Sequence, residues 1–190
     1  KRKYIMNIPH HGKYEWLPIL YKFVASVEPK TIVEFGPGRG FTTVTMAKAL
    51  SECNINGHIK SYDMWVDEYW GDSSKTQNTY KEWGVTDYIT LGKMDFFEWI
   101  KEPEEFDFLY FDVDNTGEKL EMLYNGVKDQ IKNGSVVFFE GGSKERDLHG
   151  VAGKNMYDIK DKIGYEVLTE NVKYSASTIY NSKIYNMDFE

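Results

Sequence analysis

The sequence predicts an α/β fold in which helices cover both faces of an open, doubly wound and mostly parallel β-sheet. Short strand-like segments alternate with helix-like segments along most of the chain. Two of the strand-like segments, 106–111 and 135–139, are almost entirely apolar, as is typical of parallel strands that are covered on both faces. Near the end of the chain, two strand-like segments are joined by a polar turn, which favours an antiparallel pair.

In the first half of the chain, hydrophobic periodicity separates helices from strands. Residues 15–27 carry apolar side chains at helical spacing, and this segment ends before Pro29. The predicted order is a helix at Glu15–Val27, a strand at Thr31–Phe35, a helix at Phe41–Leu50, a strand at His58–Tyr62 that leads into Asp63, and a loop with a helix between Trp65 and Trp83.

The second half continues the alternation. The predicted order is a strand at Tyr88–Leu91, a short helix at Asp95–Ile100, a strand at Phe106–Phe111, a helix at Thr116–Ile131, a strand at Ser135–Phe139, a helix at Tyr157–Ile163, and two strands at Tyr165–Leu168 and Ala176–Tyr180. Five strand–helix steps followed by a strand pair make a Rossmann-like sheet. We expect residues 1–190 to form a single domain, with residues 1–30 as an N-terminal lid or helix segment.

The composition favours a protein that acts on a small molecule in a reducing compartment. The chain carries a formal charge of -7, whereas nucleic acids and anionic membranes attract an excess of lysine and arginine. We therefore expect neither a nucleic-acid nor a membrane partner. Cys53 is the only cysteine, so no intramolecular disulfide can form, and the expected location is cytoplasmic. The aromatic-rich C-terminal segment is a candidate surface for a homodimer.

A turn rich in glycine joins the first strand to the helix that follows it. Gly36, Gly38 and Gly40 allow the backbone to adopt positive φ angles and to approach a ligand closely. The N-terminal end of the next helix faces the same place, and its free N–H groups can bind polar parts of a ligand. This turn therefore predicts a site for a nucleotide-containing cofactor.

An acidic residue lies at or just after the end of every predicted parallel strand. The C-terminal ends of parallel strands form one edge of the sheet, where ligands of such folds bind. Asp95 precedes a short helix and could equally be a helix N-cap. The acidic residues at the strand ends are Glu34, Asp63, Asp95, Asp112, Asp114 and Glu140. Their shared position predicts an acidic ligand site.

The turn and its acidic neighbour favour a cationic cofactor over a dinucleotide. The dinucleotide fingerprint has the spacing G-x-G-x-x-G, whereas here the third glycine comes one residue early and Phe41 takes the later place. Glu34, two residues before the first glycine, would repel a pyrophosphate. S-adenosylmethionine has no phosphate and carries a sulfonium and an ammonium group, which a carboxylate attracts. For the alternative cofactor, NAD, Arg39 is the only nearby candidate to bind phosphate.

In these residues the chain resembles the class I S-adenosylmethionine-dependent methyltransferases. Their first motif is an acidic residue followed by G-x-G-x-G, which here is Glu34, Gly36, Gly38 and Gly40. The segment order and the terminal strand pair are also similar to those of this family. The resemblance implies that the glycine turn holds the methionine part of the cofactor. It also implies that Asp63 accepts hydrogen bonds from the ribose hydroxyls and that Asp95 with Met94 or Phe96 flanks the adenine. Met64, next to Asp63, is a further candidate for cofactor binding.

A second resemblance is to small-molecule O-methyltransferases, including the catechol type. Segments 111–115 and 139–142 are similar to the acidic motifs after the fourth and fifth strands of those enzymes. In metal-dependent members, carboxylates from these two places hold a divalent ion. The resemblance thus implies an Mg²⁺ site at Asp112, Asp114 and Glu140, whose hard oxygen ligands suit that ion. Direct contacts with the substrate, or of Asp112 with the cofactor, are the alternative, and Gly141 departs from the Asn or Asp found in many members.

Together these features predict an enzyme that transfers a methyl group from S-adenosylmethionine to a hydroxyl oxygen of a small molecule. Asp112 and Asp114 are the predicted catalytic residues around the reacting oxygen, and His149 is a candidate general base. Two other classes stay open at this point. One is an NAD-dependent oxidoreductase, and the other is a non-catalytic module that binds S-adenosylmethionine.

Overall fold

The computed structural model describes residues 7–9, 14–65, 73–149, 153–170 and 174–181. Seven strands in this part of the chain form one sheet. They are β1 (Thr31–Phe35), β2 (His58–Asp63), β3 (Ile89–Lys93), β4 (Phe108–Phe111), β5 (Val136–Glu140), β6 (Glu166–Val167) and β7 (Ala176–Ile179). The α-helices are α1 (Leu17–Val27), α2 (Phe41–Glu52), α3 (Ser73–Glu82), α4 (Phe96–Trp99), α5 (Gly117–Lys132), α6 (Lys144–Leu148) and α7 (Lys160–Ile163).

The strand order is β3-β2-β1-β4-β5-β7-β6, and it locates the ligand site. The strands from β3 to β5 are parallel, whereas β7 runs antiparallel to both β5 and β6. The chain builds the sheet outward from β1 to β3 and then returns to the other side of β1 for β4. This reversal creates a topological switch point between the C-terminal ends of β1 and β4, where sheets of this kind bind ligands. The predicted fold class is confirmed.

Two apolar cores cover the two faces of the sheet. Side chains alternate along β1, so Ile32 packs with α1 and α2 on one face, and Val33 packs with α4 and α5 on the other. Strands β4 and β5 are buried along their whole length, as their apolar sequences predict. The ends of β4 and β5, which lead to Asp112 and carry Glu140, are therefore held by packing on both sides.

Three of the differences from the predicted elements have a visible local cause. Strand β4 begins at Phe108 rather than Phe106, because the Phe106 N–H donates to the side chain of Gln130 (3.1 Å) and not to a neighbouring strand. Tyr88 ends a 3₁₀ turn, so β3 begins one residue later. Helix α6 follows from an N-cap that the periodicity does not reveal, in which the Ser143 hydroxyl accepts from the Arg146 N–H (3.1 Å).

Parts of two other predictions lie outside the described residues. These parts are residues 1–6 and 10–13 of the predicted N-terminal segment, and residues 66–72 of the loop before α3. Within the described part of the chain, no helix has both the length and the apolar character that crossing a membrane requires.

Candidate active site

A cavity of about 460 Å³ lies at the C-terminal ends of β1 to β4. Its volume falls in the range of small-molecule sites. The glycine turn after β1 forms one wall, and the segments after β2, β3 and β4 form the others. Four of the predicted carboxylates line this one cavity: Asp63, Asp95, Asp112 and Asp114. The site is therefore acidic, as the sequence predicts.

In the turn after β1, the backbone geometry at two positions is compatible with glycine only. Gly36 has a φ of 82°, and a Cβ there would collide with the backbone carbonyl of Asp112. Gly40 has a φ of 86°, and a Cβ would lie 2.6 Å from Cε1 of Tyr80. Gly40 is also the N-cap residue of α2. The turn thus brings the bare backbone and the N-terminal end of α2 up to the cavity, which is the arrangement that a cofactor cradle requires.

Glu34 supports this turn from behind and is not among the residues that line the cavity. It is fully buried, and its carboxylate accepts hydrogen bonds from three hydroxyls, those of Thr42 (2.7 Å), Thr43 (2.6 Å) and Ser61 (2.6 Å). Burial raises the pKa of Glu34, and the three donors counteract that rise by stabilising the charged form. The expectation that Glu34 faces a cationic cofactor is therefore not met. Its carboxylate instead ties the start of α2 to β1 and β2.

Backbone N–H groups hold two of the cavity aspartates in place. Asp63 accepts through Oδ1 from the Trp65 N–H (2.9 Å), and Asp95 accepts through Oδ1 from the Phe97 N–H (2.7 Å). Asp95 is thus both the N-cap of α4 and a residue of the cavity. The predicted apolar neighbours Met64, Met94 and Phe96 also line the cavity.

A lysine that the sequence analysis does not single out closes one side of the cavity. Lys119, in the first turn of α5, forms an ion pair with Asp114. Its Nζ lies 5.3 Å from the ring centroid of Phe97, within reach of a cation–π interaction. Burial lowers the pKa of Lys119. This pairing places Asp114 beside Lys119 rather than beside Glu140.

Behind the cavity, a polar network joins the ends of β4 and β5. The Asn115 amide nitrogen donates to Oδ1 of Asp112 (2.9 Å) and to Glu140. Arg146 donates to both oxygens of Glu140, from Nε to Oε1 (2.7 Å) and from Nη2 to Oε2 (3.2 Å). Burial raises the pKa of Asp112. Burial, together with the nearby charge of Asp112, raises the pKa of Glu140, and the contact with Arg146 counteracts that rise.

The residues predicted to hold Mg²⁺ do not form a site for it. Both oxygens of Glu140 are engaged by Arg146, and Asp114 pairs with Lys119. At Gly141, φ is 100° and a Cβ would lie 2.8 Å from Sδ of Met156, so a larger residue at this position would be strained and would have to displace the methionine. Across the described ranges, no group of three or more His, Cys, Asp or Glu residues is arranged to hold a metal ion. The predicted site at Asp112, Asp114 and Glu140 is therefore corrected.

His149 lies away from the cavity. It is the exposed C-cap residue of α6, and its Nε2 lies 3.3 Å from Oε1 of Glu145 on the same helix. It is not among the residues that line the cavity. The structure therefore gives no support to the predicted general base at this position.

Besides Lys119, the sequence analysis also misses Tyr14 and Arg146. Tyr14 lines the cavity from the segment before α1, and burial with the charges of Asp112 and Glu140 raises its pKa. No motif marks this tyrosine. Arg146 has a weak signal, because Ser143 is a typical N-cap residue and predicts a short helix that carries the arginine in its first turn.

A glycine turn at the switch point of a parallel sheet, with acidic residues at the strand ends, defines a class I methyltransferase fold. Comparison with known protein families matches residues 33–140 to the methyltransferase domain family. The match extends from β1 to the end of β5 and covers more than half of the chain. The chain belongs to this family.

Several solved methyltransferase structures share the fold. The O-methyltransferase TomG of Streptomyces achromogenes, solved with S-adenosylmethionine, is 13% identical, with 87% of this chain and 79% of that chain covered and a TM-score of 0.63. An O-methyltransferase of Bacillus cereus, solved with S-adenosylhomocysteine, is 13% identical, with 92% and 93% covered and a TM-score of 0.59. A ribosomal protein L11 methylase of Lactobacillus delbrueckii is 14% identical, with 92% and 80% covered and a TM-score of 0.61. No curated protein matches the chain.

Proposed function

We propose that this protein transfers a methyl group from S-adenosylmethionine to a hydroxyl oxygen of a small molecule. The observation that carries the proposal is the acidic cavity beside the glycine turn. Four aspartates and one lysine line that cavity, so its lining attracts a cationic ligand. S-adenosylmethionine is such a ligand, whereas the same carboxylates would repel the pyrophosphate of NAD.

The residues of the cavity fit the parts of this cofactor. The backbone of the glycine turn is placed to bind the methionine part. Asp63 uses Oδ1 for the Trp65 N–H, and its carboxylate is placed to accept hydrogen bonds from the ribose hydroxyls. Met64, Met94 and Phe96 offer apolar contacts for the adenine. When bound, the cofactor supplies an electrophilic methyl group. The ligands present in the Streptomyces and Bacillus structures support this assignment.

Asp112 is the residue best placed to take a proton from the acceptor. It lies at the switch point and lines the cavity, and Asn115 fixes one of its oxygens from behind. Burial raises its pKa, which makes it a stronger base than an exposed aspartate. A hydroxyl acceptor is supported by the O-methyltransferases among the solved structures, although the L11 methylase shows that the same fold also serves protein acceptors.

Mass spectrometry with a panel of acceptors tests the proposal. The protein is incubated with S-adenosylmethionine and with separate catechols, phenols, sugars, amines and peptides. We expect one methyl group to appear on a hydroxyl oxygen. The variant Asp112→Asn should lower kcat by about 100-fold or more, because its amide cannot accept the proton, while the Kd of the cofactor changes little. The variant Asp87→Asn, at an exposed residue after α3, is the control. Methylation of nitrogen alone, or full activity of Asp112→Asn, would contradict the proposal.

A further inference from the structure

We propose that Arg146 is a built-in cation that holds the acidic ends of β4 and β5 together, so that methyl transfer by this protein needs no divalent metal ion. The inference deepens the proposed function and rests on it, since it concerns the same cavity. It departs from the metal-dependent mechanism that the acidic motifs of the sequence suggest.

The contact between Arg146 and Glu140 has the geometry of a strong buried ion pair. Two N–H groups of one guanidinium meet the two carboxylate oxygens at 2.7 and 3.2 Å. Glu140 is only 2% exposed and the Arg146 side chain 15% exposed, so water competes little for either group. Bidentate pairs of this kind are the strongest that arginine forms with a carboxylate. A divalent ion would have to displace the guanidinium to reach Glu140.

The backbone fixes where Arg146 points. Gly141 and Gly142 turn the chain sharply after β5 with φ angles of 100° and 90°. Ser143 then caps α6, so that Arg146 lies in its first turn. At the other end of this short helix, Asp147 accepts from the N–H groups of Met156 (3.3 Å) and Tyr157 (2.9 Å). The arginine is thus presented by a helix that is tied down at both ends.

Arg146 also balances the charge of Asp112, which it does not touch directly. The positive charge of Arg146 counteracts the rise in pKa that burial causes at both Asp112 and Glu140. The amide of Asn115 connects the two carboxylates through a nitrogen that donates to each. An amide nitrogen between two carboxylates occupies the space in which a shared metal ion would have to bind. Arg146 is therefore a positioning residue, which acts on the acceptor through Asp112.

Manganese binding, followed by electron paramagnetic resonance, tests this inference without an acceptor. Wild-type protein, Arg146→Met and the double variant Glu140→Gln/Arg146→Met are each titrated with MnCl₂ after treatment with EDTA. We expect no bound Mn²⁺ in the wild type. In Arg146→Met, we expect weak Mn²⁺ binding and a fall in melting temperature of about 10 °C, because two buried carboxylates lose their counterion. The double variant should recover at least half of that fall and should not bind Mn²⁺.

Two results would overturn the inference. One is tight Mn²⁺ binding to the wild type that Asp112→Asn abolishes. The other is a double variant that is no more stable than Arg146→Met, because this result would assign Arg146 a packing role only. Binding of S-adenosylhomocysteine to the wild type, measured separately by calorimetry, tests the proposed function. If the inference about Arg146 is wrong, the wild type still binds S-adenosylhomocysteine. If the proposed function is wrong, it does not, so the two failures can be told apart.

Discussion

Single residues of this site divide into those that line the cavity and those that support it. Asp63 lines it, whereas Glu34 is absent from its lining and stabilises the wall instead. Both are acidic and both end or follow a strand. The sequence pattern treats them alike, and only their surroundings in the fold separate their roles.

The variant Asp63→Asn should weaken cofactor binding without unfolding the protein. Asparagine keeps an oxygen for the Trp65 N–H, so the local turn is retained, but it loses the negative charge and one acceptor. We expect the Kd of S-adenosylhomocysteine to rise about tenfold, the change for one hydrogen bond to a charged group, with an unchanged melting temperature. Calorimetry measures the Kd. An unchanged Kd would remove Asp63 from the cofactor site.

The variant Glu34→Gln should destabilise the fold first and the cofactor site second. A glutamine side chain has one acceptor oxygen where the carboxylate has two, so at least one of the three hydroxyls loses its partner inside the core. We expect a loss of about 1–3 kcal/mol in the free energy of unfolding, measured with urea. Glu82→Gln, at the exposed end of α3, is the matched control and should change little. Equal stability of the two variants would show that the three hydrogen bonds add nothing.

At the scale of elements, the glycine turn and α2 act as one unit. The N-terminal end of the helix faces the cavity only because Gly40 adopts a left-handed conformation and leaves room for Tyr80. Tyr80 in turn donates from its hydroxyl to Thr43 (2.9 Å), which bonds to Glu34. Helix α3 therefore braces the turn from the far side.

The pair Gly40→Ala and Gly84→Ala separates backbone strain from collision. Both glycines have a positive φ, but a Cβ at Gly84 meets nothing within 4 Å, whereas one at Gly40 meets the Tyr80 ring. We expect Gly84→Ala to cost about 1 kcal/mol and Gly40→Ala about 2–4 kcal/mol of stability, with weaker cofactor binding only in the latter. Chemical denaturation and calorimetry measure the two effects. Similar costs at both positions would mean that the contact with Tyr80 is unimportant.

Most elements could be predicted because their signals are local. Helix α1 begins at Leu17 and ends at Val27, where periodicity and Pro29 predict its end, and β1 has its predicted bounds. Helix α6 could not be predicted from periodicity, because five residues are too few to show a helical repeat of apolar side chains. The start of β4 depends on Gln130, a residue 24 positions away in the sequence that takes the N–H of Phe106. Contacts of that kind are invisible before the chain folds.

At the scale of the whole molecule, the order of the strands explains why one cavity collects side chains from such distant parts of the sequence. Asp63, Asp95 and Asp112 come together because β1 to β4 are parallel and end at the same edge. Their convergence could be predicted from the alternation of elements. The roles of Arg146 and Lys119 could not be predicted in this way, because they depend on which carboxylate each side chain contacts in the folded protein.

Isothermal titration calorimetry with S-adenosylmethionine, S-adenosylhomocysteine and NAD tests the central claim most directly. The acidic cavity of a methyltransferase fold should bind the first two ligands with one site per chain and a Kd in the micromolar range, and it should give no heat with NAD. Binding of NAD, or no binding of either adenosyl ligand to folded protein, would contradict the account.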